Sequence, residues 1–494
     1  MNLALAFASN ARGDPAKTAL FWGDARFSYL DLWSQSLWVA ERLRAGFGVR
    51  RGDRVGIWLR NCPEFVPALF GILQAGAVAV PINNFLKPAE VSFILADAGI
   101  NVLIVDETMD EGLAKLAAGR PELKSLRASS FGRLEDAGAA APSDLTEADL
   151  AVLVYTSGTT GHPKGAMLSH GNLLANVQSC RVALEAVGTD RFVVVLPLFH
   201  SFMLTVGLLL PMLVGGSMVL IKTLHPPKNV LLEILQHQAT LLPAVPQFFR
   251  ALARSAVPPA FPLRLCISGG APLPAETLRE FTACFPIPLL EGYGLSEASP
   301  VVSFQPIRGP WKAGSIGKPI ANVEVTIQNE AGEMLPPGQT GEVCVRGPNV
   351  MQGYWNQPAA TAHVLRNGWL LTGDIGHSDA DGYFYITDRK KDMLLVNGIN
   401  VYPREIEEIL YKYPGVREAA VIGVPDARRG EQPLAFVAPH EGVQLEEGPL
   451  LAFARERLAD YKIPRRVVFV SALPHNATGK ILKTELRKIA SKAP

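Results

Sequence analysis

Between residues 29 and 105 the chain switches three times from a helix-spaced apolar pattern to a short apolar run. Residues 29–43 carry Leu30, Trp33, Leu37, Ala40 and Leu43 at helical spacing, and residues 54–59 follow as a strand. Residues 64–74 and 89–98 repeat the helical pattern, each leading into a strand-like run at 78–82 and 102–105. Strands separated by helices do not pair as hairpins. The helices carry the chain back across the sheet, so the strands run parallel and the fold class is α/β. In such a sheet ligands gather beyond the carboxyl ends of the strands.

The next apolar run, residues 150–154, ends in Tyr155, Thr156, Ser157, Gly158, Thr159, Thr160, Gly161, His162, Pro163, Lys164 and Gly165. Glycines let backbone N–H groups converge on an anion, the hydroxyls add donors, and Lys164 supplies compact positive charge. Gly, Ser and Thr also crowd ordinary surface turns. Four hydroxyls beside a lysine at a strand end read instead as a phosphate cradle. Spacing excludes two other phosphate motifs. A Walker loop counted from Gly158 needs a glycine where Pro163 stands. Gly292-Tyr293-Gly294 has Glu297 where a dinucleotide fingerprint places its third glycine.

A chain of 494 residues is too long for one core, so two or more domains are expected. Its 47 Lys and Arg against 46 Asp and Glu leave a net charge of +1, which gives no electrostatic case for binding nucleic acid. The five cysteines (Cys62, Cys180, Cys266, Cys284, Cys344) are odd in number and lack a Cys-x-x-Cys pair, as expected of reduced thiols in a cytoplasmic protein. The nine histidines show no metal-ligand spacing. Residues 3–8 make a poor secretory signal, being short and without a preceding Lys or Arg. Residues 192–221 contain no charged side chain and could span a bilayer by length. Pro197, His200, Pro211, Gly215 and Gly216 interrupt them, so a buried strand, helix and strand are predicted rather than a transmembrane segment. Peripheral membrane contact stays open, as do monomer and homodimer.

Further along, Val323, Val325 and Ile327 alternate, Pro336-Pro337-Gly338 turns, and Val343 and Val345 alternate again, which predicts a β-rich subdomain over about 315–387. The remainder reads as a small α+β domain. It has a helix with Ile406, Ile409 and Leu410 on one face, apolar runs at 419–424 and 467–470, and a helix around 450–458.

Five motifs follow one another in order: the phosphate loop; Glu291-Gly292-Tyr293-Gly294-Leu295-Ser296-Glu297; Thr372-Gly373-Asp374; the run 388–392; and Thr478-Gly479-Lys480. In this order, from about residue 29 to 486, the chain resembles the adenylate-forming superfamily, whose members include acyl-CoA synthetases. The resemblance implies a large N-terminal domain, 1–387, of parallel α/β sheets plus the β-rich subdomain, and a mobile C-terminal domain, 388–494, hinged at Asp388. It also implies the activity: a carboxylate is joined to AMP with release of pyrophosphate, and the acyl group then passes to coenzyme A.

Roles follow from the same resemblance. Lys164, with Thr156, Ser157, Gly158, Thr159, Thr160 and Gly161, would hold the β- and γ-phosphates of ATP, and Glu297 with Thr156 would bind Mg2+. Glu291, Gly292, Tyr293, Gly294 and Ser296 would form the adenine side of the site, with Gly270, Ala271 and Pro272 opposite. Asp374 and Arg389 would take the ribose, and Gly398 would line the pantetheine channel. Lys480 is the expected catalytic lysine of adenylation, and His200 would lie by the reacting carboxylate. Read alone, Tyr293 fits a core aromatic, His200 a buried structural histidine, and Lys480 or Glu297 a solvated charge. Ser296 replaces a more usual Thr, and His475 stands where Arg or Lys is commoner, which would weaken one phosphate contact.

The expected acyl lining (Phe202, Met203, Leu295, Val301, Val302) is apolar. A medium- or long-chain fatty acid is the expected substrate, with an aryl acid second. A fatty acyl-AMP ligase that stops before CoA, and a non-catalytic nucleotide-binding protein, are the remaining alternatives.

Overall fold

The computed structural model describes residues 1–134, 144–156, 163–224, 228–254, 261–397, 399–426, 428–476 and 479–491. The alternation at 29–105 becomes helices Tyr29–Glu41, Phe65–Gln74 and Pro88–Asp97 between strands Arg54–Trp58, Val78–Pro81 and Val102–Val105. Ser28 starts the first helix: its hydroxyl accepts the Asp31 N–H while the Asp31 carboxylate accepts the Ser28 N–H. Phe65–Gln74 is buried at every position, which explains why it is apolar from Phe65 to Leu73.

Lys124–Arg127, Val102–Val105, Arg54–Trp58, Val78–Pro81 and Leu150–Thr156 form, in that order, a parallel sheet. Lys164–Ser169 closes its edge antiparallel to Leu150–Thr156. The phosphate segment therefore joins two arms of a hairpin and does not lead from a strand into a helix, a distinction the apolar run at 150–154 could not carry. Six parallel strands make the centre of a second sheet: Leu289–Gly294, Leu265–Ser268, Leu241–Ala244, Arg191–Val194, Ser217–Leu220 and Thr18–Trp22. The stretch 192–221 supplies two of these strands and buried helical turns between them. Among the described residues no helix is long and apolar enough to cross a membrane.

The amino terminus, read from sequence only as a poor signal, is a helix, Leu3–Gly13, capped by the Asn2 side chain on the Leu5 N–H. Leu3, Phe7 and Ala11 are buried, and Phe7 stacks on Phe70 at 4.1 Å.

Strands Glu324–Gln328, Gly341–Arg346, Trp369–Ser378 and Phe384–Arg389 form the antiparallel sheet expected of the β-rich stretch. Asp388 lies within the last of these, paired with Ile375. The small C-terminal domain is built on Val416–Asp426 and Gly430–Pro439. Alternate side chains face opposite cores. Ala419, Val421, Ala435 and Val437 pack with Ile406, Leu410 and Leu450, while Ala420, Ile422, Leu434 and Phe436 pack with Leu473 and Leu486.

Candidate active site

Loops from the carboxyl ends of both parallel sheets meet here. Asn61, just past Arg54–Trp58, donates to the Leu196 carbonyl and accepts the Leu198 N–H, bracing the segment that leads to His200. His200 Nδ1 accepts the Phe202 N–H at 3.3 Å, which leaves the imidazole proton on Nε2. Burial, and then the charge of Lys480, push this imidazole down to about 4, so it is neutral near pH 7. Ser201 and Ser296 share a hydroxyl hydrogen bond of 2.8 Å, which ties the His200 segment to Glu297.

Thr156 and Lys164 face each other at the top of the hairpin. Ser157, Gly158, Thr159, Thr160 and Gly161 lie outside the described residues, as does Gly398. Lys164 Nζ sits 5.2 Å from the centroid of the Tyr354 ring, and the Tyr354 hydroxyl donates to Glu297 Oε1 at 2.8 Å. Tyr354 thus stands between the Lys164 cation and the Glu297 carboxylate, a position the sequence reading missed. An isolated Gly-Tyr-Trp gives no sign of a partner 57 residues away.

Gly292 and Gly294 are constrained by close approach. A Cβ at 292 would lie 3.0 Å from Phe304 Cδ2, and one at 294 would lie 2.2 Å from the Pro300 carbonyl oxygen. Tyr293 is half-buried, and its hydroxyl donates to Asp374 Oδ2 at 2.5 Å. The other Asp374 oxygen accepts from Arg389 Nε at 2.8 Å, and the Asp374 charge raises the Arg389 pKa further. Gly270 adopts φ +78° just past strand Leu265–Ser268, and Gly270 and Pro272 are exposed there. Glu291 differs from its motif neighbours. It is buried, its Oε1 accepts the Leu273 N–H at 3.1 Å, and burial pushes its carboxyl up to about 7, with Arg404 opposing the shift. It therefore braces the 270–272 edge from behind.

Lys480 follows Gly479, which has φ +77°. Asn476 closes the turn, donating its N–H to the Lys480 carbonyl and accepting the Lys480 N–H on Oδ1. Crowding in the cleft, and then Arg389, lower the Lys480 ammonium to about 8. Its side chain is nonetheless exposed, so water screens part of that effect. His475 is engaged elsewhere than expected, with Nε2 3.2 Å from Glu418 Oε1.

The donor set suits Mg2+ better than a metal held by protein alone. Among the described residues no group of three or more His, Cys, Asp or Glu could hold a metal ion, while Glu297 and Thr156 offer oxygens near Lys164. Mg2+ is ordinarily bound in this way, through one or two carboxylates with nucleotide phosphates completing its shell.

The family model described as AMP-binding enzyme matches residues 7–355, and the AMP-binding enzyme C-terminal domain matches 405–480. The chain belongs to the AMP-binding enzyme family. A feruloyl-CoA synthase from Amycolatopsis sp is 42% identical over 484 residues, 97% of either chain. A long-chain-fatty-acid–CoA ligase from Bacillus subtilis is 36% identical over 514 residues, covering 96% of this chain and 91% of the other. ATP-bound MatB from Rhodopseudomonas palustris is 34% identical and superposes with a TM-score of 0.90 over 100% of this chain and 99% of that one, whereas apo MatB gives 0.78. This member of the family is an AMP-forming acid–CoA ligase, and it uses ATP, Mg2+ and CoA.

Proposed function

We propose that the protein activates an aryl-substituted carboxylic acid of the ferulate type and passes the acyl group to CoA. The observation that carries this reading is the 42% identity to a feruloyl-CoA synthase over nearly the whole of both chains, against 36% for the long-chain ligase. Phe202 is compatible with an aromatic guest: its ring lies against Gly269, where a Cβ would come within 3.0 Å, leaving a flat apolar surface. The fatty acid expected from sequence becomes the second reading, supported by the long-chain ligase.

Residues 1–387 form the large domain in this reading and 388–494 the small one, pivoting at Asp388. Lys164, Thr156 and the hydroxyls of the 157–161 segment hold the β- and γ-phosphates. Glu297 and Thr156 would hold Mg2+, which would neutralise phosphate charge. Tyr293 and the 270–272 edge flank the adenine, and Asp374 with Arg389 holds the ribose. A substrate carboxylate oxygen bonds to the α-phosphorus as the bond to pyrophosphate breaks. Lys480 stabilises the charge that develops there, and His200 offers its Nε2–H to the carboxylate. The CoA sulfur then attacks the acyl carbon, AMP leaves with the bonding pair, and the thiol proton passes to water. Lys480 lies close enough to His200 to lower its pKa, which supports an adenylating posture, as does the better match to ATP-bound than to apo MatB.

Pyrophosphate release measured over phenylpropenoic, benzoic and fatty acids tests the substrate. A higher kcat/KM for the phenylpropenoic acids is expected, and a higher value for fatty acids would put the second reading first. Lys480→Ala is expected to slow adenylation roughly 100- to 1,000-fold. Thioester formation from supplied acyl-AMP should stay near wild type, and equal loss in both steps would remove the role.

A further inference from the structure

Helix Pro246–Ala253 of the large domain, with the residue that caps its end, presents Gln247, Arg250 and Arg254 one helical turn apart. Each meets the small domain. Gly479 passes so close to Gln247 that a Cβ there would lie 2.4 Å from Oε1. The Arg250 guanidinium donates to the Arg417 carbonyl. Arg250 Nη2 and Arg254 Nη2 also lie 3.3 and 3.5 Å from His440 Nε2. Arg254 Nη1 lies 3.4 Å from Nδ1 as well; arginine only donates and an imidazolium accepts at neither nitrogen, so one ring nitrogen accepts and His440 is neutral when docked. Glu280, on helix Ala275–Cys284, pairs with Arg254 at 3.2 Å and holds the arginines from behind.

From Arg417 the contact runs on to the reactive turn. Glu418 is the next residue of strand Val416–Asp426, and its carboxylate reaches His475. His475 in turn pairs with Ile481 across the turn that carries Lys480. Arg417 and the turn that carries Lys480 are thus joined by contiguous contacts through Glu418 and His475.

We propose that this helix face is the docking rail that seats Lys480 for adenylation, with Gln247, Arg250 and Arg254 as positioning residues acting through Gly479, Arg417 and His440. The proposal rests on Lys480 serving the adenylation step alone. Weakening the rail lowers the fraction of molecules with Lys480 in place and leaves the thiol-transfer arrangement whole.

Docking is also linked to protons. Burial, then the charges of Arg254 and Arg250, lower the His440 pKa, while Glu280 opposes them and Arg417 adds to them. Undocked, the imidazole regains its ordinary pKa near 6.5. The docked form binds fewer protons, so acidification through that region favours undocking.

The test compares single-turnover rates of the two half-reactions in Arg250→Ala, Arg254→Ala and the double variant, with circular dichroism to verify folding. Adenylation is expected to fall about tenfold in the double variant, following the docked fraction, while thioester formation from supplied acyl-AMP holds or quickens. His440→Gln keeps an acceptor but cannot protonate, so the decline of adenylation below about pH 6.5 should flatten. Equal loss in both half-reactions, no loss in either, or an unchanged pH profile would overturn the rail. Lys480→Ala in parallel separates the two ideas. If it impairs both steps alike, the division of labour itself fails; if it splits them while the rail variants do not, only the rail fails.

Discussion

Tyr354 touches two side chains of opposite charge at once, Lys164 through its ring and Glu297 through its hydroxyl. Tyr354→Phe would keep the ring beneath Lys164 and release Glu297 Oε1. The expected result is a several-fold higher Mg2+ requirement for adenylation and weaker Mn2+ binding, read by paramagnetic resonance with a non-hydrolysable ATP analogue. Thiol transfer from supplied acyl-AMP should be unaffected; a matching fall there would assign the tyrosine to the fold. Motif order singled out Lys164, Glu297, Asp374, Arg389 and Lys480, because all but Arg389, which lies in the charged run 388–392, sit beside glycines or hydroxyls that mark special backbone. It could not single out Tyr354, Gln247 or Ser201. These are ordinary residues whose partners lie far off in sequence, as with Ser201 and Ser296, 95 residues apart. The partner of His475, Glu418, was hidden for the same reason, being visible only once the strands are paired.

At the level of elements, the period of apolar residues gave helices and strands over 29–105 to within a few residues. Periodicity carries no information about strand order, so neither the nine-stranded arrangement among the described residues nor the 150–169 hairpin was legible. Helix Leu3–Gly13 escaped because its apolar stripe is short and resembles the start of a targeting segment. Its burial against Phe70 makes it part of the core, and Phe7→Ala is expected to destabilise the protein by about 3–5 kcal/mol. Chemical denaturation would measure this; a change below about 1 kcal/mol would mean that the helix packs loosely. Gly479 shows how one element limits another. Its turn passes at φ +77° with no side chain between it and the Gln247 amide, so the docking helix meets the small domain at close range.

Over the whole molecule, Glu291 is a buried carboxyl of the large domain that feels Arg404 and Glu408 of the small one. An unfolded glutamate ionises near 4.3, whereas the folded one keeps its proton to about 7. Between these values the folded protein binds more protons, so stability falls as pH rises. Above 7 the full penalty stands, about 4 kcal/mol by the free energy of each pKa unit. Glu291→Gln retains an acceptor for the Leu273 N–H and removes the titration. Its melting temperature should equal that of the wild type near pH 4 and exceed it above pH 7; parallel curves would show that the carboxyl ionises without strain.

Asp374 and Arg389 face each other in register across neighbouring strands, and Asp388 comes one residue before Arg389. In the proposed reading a joint at Asp388 turns on bonds beside those that aim the guanidinium at Asp374, so the swing that withdraws Lys480 would re-aim Arg389 as well. Ribose grip and domain posture would then be set by one movement.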